Sequence, residues 1–355
     1  MYAITNDYFD SFSAIFGPKE CLLNGKRYPL GHFAAEVLEM NRRLLRDLEK
    51  AVADFKPELE VFLAARTPSS AAVAQQKLDA VWAVMARLPA YKNFAPYSHG
   101  SEGLFHSMRE HPDRMDDSVT KGTNFHRTMT HWLDRLERLP DSVSDFIHNT
   151  TLMLEDYFED LPARSPAAYA EAYEKYRRTM NTAFQYAEEE DTVDEDLESI
   201  QLNFPVRLGF RATEAKDGGA VFGEELTFDE LASFLYTDLY KGMAAGNVPR
   251  RCHNCRHFFL TVGGQDTVYC NRIAPGETKR TCRQVGAHRK EKRKNQVPIL
   301  KEYSRAYNRL KGRKSRGAIS TDKWNRLVAM IQDWRDAVLR GEVSDAEFKQ
   351  RFDGV

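Results

Sequence analysis

Apolar positions recur at helical spacing through the first half of the chain. From Glu36 to Phe55 they fall at Val37, Met40, Leu44, Leu45, Leu48 and Val52, and the pattern predicts a helix that stops before Pro57. Ala72 to Leu88 is an alanine-rich stretch of helical character. Asn124 to Leu139 repeats the rhythm with Met129, Trp132, Leu133 and Leu136. Ser165 followed by Pro166 reads as an N-cap with proline at the first helical position. Tyr169, Tyr173, Tyr176, Met180 and Phe184 then line one helical face, and a stripe of that kind reads as core.

The period changes after the acidic run Glu188–Glu198, which reads as a solvated linker or helix end. Ile200, Leu202, Phe204, Val206, Leu208 and Phe210 alternate with polar residues, the signature of a strand, and Pro205 assigns it to a sheet edge or a break. Asp217-Gly218-Gly219 signals a turn, with Ala220–Phe222 as the returning strand. Thr227 and Glu230 form a capping-box pattern, with Leu226 and Leu231 placed as a staple, for a helix ending near Gly246. Further helices follow the cysteine segment. Ile319-Ser320 before Trp324, and Val343-Ser344 before Phe348, each read as a serine cap with a hydrophobic staple. Trp324, Leu327, Val328, Ile331, Trp334 and Val338 share an apolar face.

Four cysteines lie close together in the sequence. Cys252 and Cys255 form a Cys-x-x-Cys pair, Cys270 follows after fourteen residues, and Cys282 after eleven more. A Cys-x-x-Cys pair can wrap a knuckle that aims both sulfurs at one ion, and a tetrahedral site needs two more ligands. Phe258–Leu260 and Val268-Tyr269 flank Gly263-Gly264, which reads as a hairpin that returns Cys270 beside the knuckle. Thr281 reads as an N-cap that places Cys282 in the first turn of a helix, whose positive end favours a thiolate. The order of knuckle, hairpin and ligand-bearing helix resembles a treble-clef finger. Four thiolates close the coordination shell, so the expectation is one structural Zn2+ per chain. A mixed site using His253, His257 or His288 is the alternative. Redox chemistry of the Cys-x-x-Cys pair alone leaves Cys270 and Cys282 unexplained, and Cys21 reads as structural.

Charge sharpens this picture. The chain as a whole carries a net charge of −1, but Pro249–Arg316 holds nineteen Lys/Arg against four Asp/Glu, a balance of +15 that leaves −16 for the remainder. An acidic body with a basic segment suits an anionic partner, or attraction between the two parts. Arg283, Lys290 and Lys294 fall on one stripe of a helix after Cys282, with Arg289 and Arg293 on the adjacent one. A second basic run, Lys311, Arg313 and Lys314, reads as a loop. These eight residues are the candidate nucleic-acid contacts, mainly to phosphate, with DNA favoured over RNA. The basic face could equally dock an acidic protein.

The stretch FDELASFLYTDLYKGMAAGNVPRRCHNCRHFFL, followed by YC and TCRQVGAHRKEKRK, resembles the C-terminal finger of an uncharacterised bacterial domain family of unknown function. More distantly it is similar to the CGNR fingers of presumed bacterial transcription regulators. These also follow a helical domain and carry a basic helix after the last ligand, although here Arg283-Gln284-Val285 replaces Gly-Asn-Arg after the cysteine. The resemblance implies architecture and the four metal ligands.

Other signals are weak. His99, His106, His111, His126 and His131 cluster in sequence without an HExxH pattern, and no P-loop, dinucleotide fingerprint or nucleophile elbow occurs. An apolar content of 42% fills a core, no apolar run is long enough to cross a bilayer, and the first residues lack a secretory pattern, so a cytoplasmic protein without a membrane partner is expected. Length favours several domains. The reading is a mainly α protein with a helical domain over 1–190, an acidic linker and small β-hairpin connector over 191–247, a zinc finger with basic helix over 248–297, and a C-terminal helical tail over 298–355. The expected function is a zinc-stabilised nucleic-acid-binding protein, a transcription regulator among the possibilities. An interaction module using the finger, or an enzyme with its site in the helical domain, is the alternative.

Overall fold

The computed structural model describes residues 11–94, 120–189, 205–214, 218–296 and 298–344, with 347 and 350. The chain is mainly α-helical, and it also carries a five-stranded antiparallel sheet. It divides into two compact units, one of residues 1–252 and 256–268, the other of residues 253–255 and 269–355.

The first unit opens on three short strands, β1 (Phe12–Phe16), β2 (Glu20–Leu23) and β3 (Lys26–Pro29). The helical rhythm gave no sign of them. They join β4 (Arg207–Glu214) and β5 (Ala220–Phe228) in the order β3-β2-β1-β5-β4, with Phe12 opposite Phe228 and Ala14 opposite Leu226. β4 is an edge strand, as Pro205 suggested, and β5 returns from the Gly218 turn. Thr227 lies in β5 and does not cap a helix. Its hydroxyl meets Ser13 across the sheet at 2.6 Å, and the cross-strand pairing outweighs the local capping pattern.

Among the described residues, helices α1 (His32–Leu38), α2 (Arg43–Ala65), α3 (Pro68–Met85), α4 (Asn124–Met153), α5 (Pro166–Glu189) and α6 (Leu231–Ala244) also belong to this unit. α2 runs through Pro57 and α4 through Pro140, so neither helix ends where the sequence pattern stops. Interior proline costs about 3 kcal/mol. In α2, Leu59 and Phe62 beyond the proline are fully buried, and burying two such side chains returns about 3–6 kcal/mol. Ser165 caps α5 as expected, and Tyr169 and Tyr176 of the tyrosine stripe lie in the core. The residues 190–204, with most of the acidic run, lie outside the described residues.

One buried carboxylate ties the sheet end to the helices. Asp238, on α6, is wholly buried and accepts hydrogen bonds from the backbone N–H groups of Gly31, Phe33 and Ala34, at 2.9, 2.8 and 3.1 Å. It thus caps α1, whose own N-cap, Gly31, offers no side chain. Burial pushes its pKa up to about 7 against the pull of the three donors. Cys21 is also wholly buried, and burial pushes its thiol pKa upward, which makes it an inert core residue.

The second unit contains α7 (Cys282–Gln296), α8 (Pro298–Ser315) and α9 (Thr321–Leu339). α8 and α9 bury Ile299, Ala306, Leu310 and Ile331, with Ile319 from the turn between them. The Ser320 hydroxyl accepts from Lys323 N, and Ile319 and Trp324 meet in this cluster as the staple pattern implied. Among the described residues no helix is long and apolar enough to cross a membrane.

Candidate metal centre

The knuckle is the turn of a β-hairpin. β6 (Val248–Arg251) pairs with β7 (Phe258–Thr261), and residues 252–257 connect them. Cys252 N donates to His257 O, and Arg256 N to Cys252 O, both at 2.8 Å. Arg256 takes a left-handed backbone conformation, with φ of 64°, to close this loop. β7 therefore pairs backward with β6 and not forward with Val268-Tyr269, as the sequence suggested. The reason lies at Asn247 and Gly246. Asn247 Oδ1 accepts from Gly263 N, Gly246 O accepts from Gly264 N, and Asn247 Nδ2 donates to Leu30 O, each at 2.9 Å. These bonds hold the Gly263-Gly264 turn against the start of β6. Both glycines have positive φ, which suits residues without a Cβ.

Acidic side chains hold the strand ends beside the knuckle. Glu39 accepts from Phe258 N and pairs with His257 Nδ1 at 2.8 Å. Arg251 pairs with Glu155 and lies over the Phe258 ring. Arg250, only 7% exposed, donates to Asp266 Oδ1 and to Thr267 O.

Cys282 stands where the cap pattern put it. Gln284 N donates to Thr281 Oγ1, and Thr281 N donates to Gln284 Oε1, so a capping box opens α7 at Cys282. Cys282 N donates to Arg272 O, and Arg283 N to Cys270 O, which fixes the approach of the two later cysteines. Tyr269, beside Cys270, lies against Gly286 of α7: a Cβ there would come within 2.4 Å of the ring. That contact accounts for a glycine inside a helix.

These elements bring four sulfurs together. The Sγ atoms of Cys252, Cys255, Cys270 and Cys282 all lie within 4.8 Å of one another, and those of Cys255 and Cys270 are 3.5 Å apart. A disulfide needs about 2.05 Å, whereas sulfurs at about 2.3 Å from a tetrahedral ion stand roughly 3.8 Å apart. The cluster has the dimensions of a four-thiolate metal site. Cys252, Cys270 and Cys282 are buried and Cys255 is partly so. The histidines weighed as substitutes are not in the group: His257 is paired with Glu39, and His253 stands edge-on to Tyr269. Residues 199–353 match the family model described as a family of unknown function, DUF6076. The matched stretch spans β4, β5, α6, the four cysteines and the C-terminal helices. No curated protein and no solved structure matches the chain.

The candidate contacts to nucleic acid fall on two helices. Arg283 is exposed in the first turn of α7. Arg289 is exposed too, and its Nη1 donates to Asn254 Oδ1 at 2.8 Å. Lys290, Arg293 and Lys294 belong to α7, and their side chains lie outside the described residues. The run Lys311, Arg313 and Lys314, read from sequence as a loop, forms the last turns of α8, where cations offset the negative end of the helix dipole. Lys314 also donates to Thr321 Oγ1 at the start of α9. Sequence reasoning missed a different set on α8. Lys301, Arg305 and Arg309 repeat every fourth residue and are exposed, as is Arg316 just beyond the helix. Asn254, Glu39 and Asn247 were also missed, since nothing in a sequence marks an isolated polar residue whose partner is distant. Of the clustered histidines, His99, His106 and His111 lie outside the described residues, as do the side chains of His126 and His131.

Proposed function

We propose that the four cysteines hold one structural zinc ion and that the ion anchors a basic helix for binding nucleic acid. The observation that carries this reading is that the fourth ligand, Cys282, is the first residue of α7, which bears six Lys/Arg and one acidic residue. α8 adds the exposed line of Lys301, Arg305 and Arg309. Zinc suits a closed set of four thiolates, and such a site serves architecture and leaves no position open for catalysis. Two adjoining helices rich in lysine and arginine suit a phosphate backbone. Contacts of this type read no sequence by themselves, so DNA in general is the proposed ligand.

Fluorescence anisotropy with duplex DNA and with RNA, across a series of salt concentrations, tests the proposal. The slope of log affinity against log salt should fall by roughly two to three units on duplex DNA when three phosphate contacts are lost. That loss is expected for Arg283/Lys290/Lys294→Ala and for Lys301/Arg305/Arg309→Ala, with zinc content unchanged in both. Absence of any salt-dependent affinity at low salt would reject nucleic acid as the partner and turn attention to an acidic protein.

A further inference from the structure

The side chain of Asn254 lies between the metal centre and the basic helix. Its Nδ2 donates to Cys282 Sγ at 3.3 Å, and its Oδ1 accepts from Arg289 Nη1 at 2.8 Å. Only one orientation of the amide suits both neighbours. A guanidinium has donors and no acceptor, and a thiolate accepts and does not donate. Rotating the amide would set its oxygen against the sulfur and its NH2 against the guanidinium. The arrangement suits an accepting sulfur on one side and a cation on the other.

Charge gives this arrangement a purpose. Four thiolates around a divalent ion leave an excess of two negative charges, and Cys282 is wholly buried, where that excess is poorly solvated. The start of α7 supplies partial positive charge to the same sulfur. Asn254 adds a hydrogen bond to it, and Arg289, two turns along α7, polarises that amide through its other end.

We infer that Asn254 and Arg289 form a relay that stabilises the Cys282 thiolate and so sets how tightly the ion is held. Both are positioning residues for the metal centre, and Arg289 serves the sulfur rather than a phosphate. The inference rests on the metal-binding reading above. Partners of this kind typically change metal affinity 10–100-fold when removed.

The test is a competition titration of the full-length protein, loaded with zinc, against a chromophoric chelator. Asn254→Ala and Arg289→Ala should each weaken zinc binding by about 10–100-fold, while Lys279→Ala, which removes an exposed cation from the loop before α7, should match the wild type. Because the two residues act in series, the double variant should be no more than a few-fold weaker than either single one. Asn254→Asp separates electrostatic support from a structural link. A carboxylate keeps the bond to Arg289 but repels the thiolate, so zinc binding should fall at least as far as in Asn254→Ala. Retention of wild-type affinity in Asn254→Asp, or in either alanine variant, overturns the relay, as does full multiplication of the two effects in the double variant. A wild type that binds no zinc at all overturns the metal reading together with the relay. A wild type that binds zinc while the variants bind it equally well overturns the relay alone.

Discussion

The two units are held together by different physics. The first has a continuous core from Phe12 on β1 to Phe258 on β7, with Phe33, Phe55, Phe62, Phe146, Phe228 and Phe234 fully or almost fully buried. In the second, the stretch from Tyr269 to Arg289 buries only Cys270, Ala274 and Cys282 among apolar residues. At about 25 cal/mol per Å2 of apolar area, such a stretch gains little from burial and cannot offset about 1–2 kcal/mol per residue of backbone ordering. Structural zinc sites in small fingers contribute on the order of 10–16 kcal/mol. On the proposed reading, the first unit relies on its apolar core and this stretch of the second on an ion.

Metal removal breaks this comparison most sharply. With a strong chelator, or in Cys282→Ser, amide protection should vanish across residues 269–289 and persist in α2 and α6. Hydrogen exchange followed by mass spectrometry measures both at once. Equal loosening of the two regions would mean that the large core also depends on the ion.

The next effect belongs to the first unit alone. Asp238→Ala strands three buried N–H donors, and at about 1–3 kcal/mol for each unsatisfied group the loss should be roughly 3 kcal/mol or more. Zinc content should not change. The carboxyl also has a pH signature. Its folded-state pKa of about 7 stands above the ordinary 3.8, so folding takes up a proton between these values. Its contribution is present in full below about pH 4 and declines as pH rises through 7. The thermal midpoint of the wild type should therefore fall more between pH 5 and pH 8 than that of Asp238→Asn.

Back in the second unit, Gly286→Ala places a Cβ within 2.4 Å of the Tyr269 ring. Tyr269 is joined to Cys270 in sequence, so displacing the ring disturbs a ligand. Overpacking of this kind costs about 1–3 kcal/mol, although alanine favours the helix by nearly 1. The expected net result is weaker zinc binding, by up to tenfold or more, in the same chelator competition. Unchanged affinity would show that the ring can move without moving the sulfur.

How far the sequence foretold this molecule follows the range of each interaction. The clustering of the four cysteines was legible because cysteine is scarce and its spacing is restrictive. The caps at Ser165, Thr281 and Ser320 were legible because each acts on a residue three positions away. β1 was not, because five residues have little local pattern and their partner, β5, lies more than two hundred residues along the chain. Pro57 misled because a local cost was judged without the burial that offsets it. The β7 partner was misassigned because Phe258–Leu260 can pair on either side, and the choice is made by Asn247. Asn254 carried no signal, since its role exists only once Cys282 and Arg289 stand on either side of it.

The smallest effect sharpens the comparison from the opposite direction, by strengthening the finger. Arg256 closes the knuckle with φ of 64°. A left-handed backbone costs an L-residue about 1–2 kcal/mol. Glycine avoids that cost but loses more freedom on folding, by about 0.5–1 kcal/mol. The balance favours Arg256→Gly by up to about 1.5 kcal/mol. The bonds that fix this loop survive the change, because Arg256 uses its backbone N–H toward Cys252 and its carbonyl toward Arg251. On the proposed reading that the finger folds around a metal, that gain should appear as zinc binding up to about tenfold tighter, since about 1.4 kcal/mol corresponds to tenfold. Arg256 belongs to the first unit, so that unit's thermal midpoint should rise too, by no more than about 2–4 °C. Weaker zinc binding in Arg256→Gly would mean that the arginine side chain, and not the backbone alone, supports the knuckle.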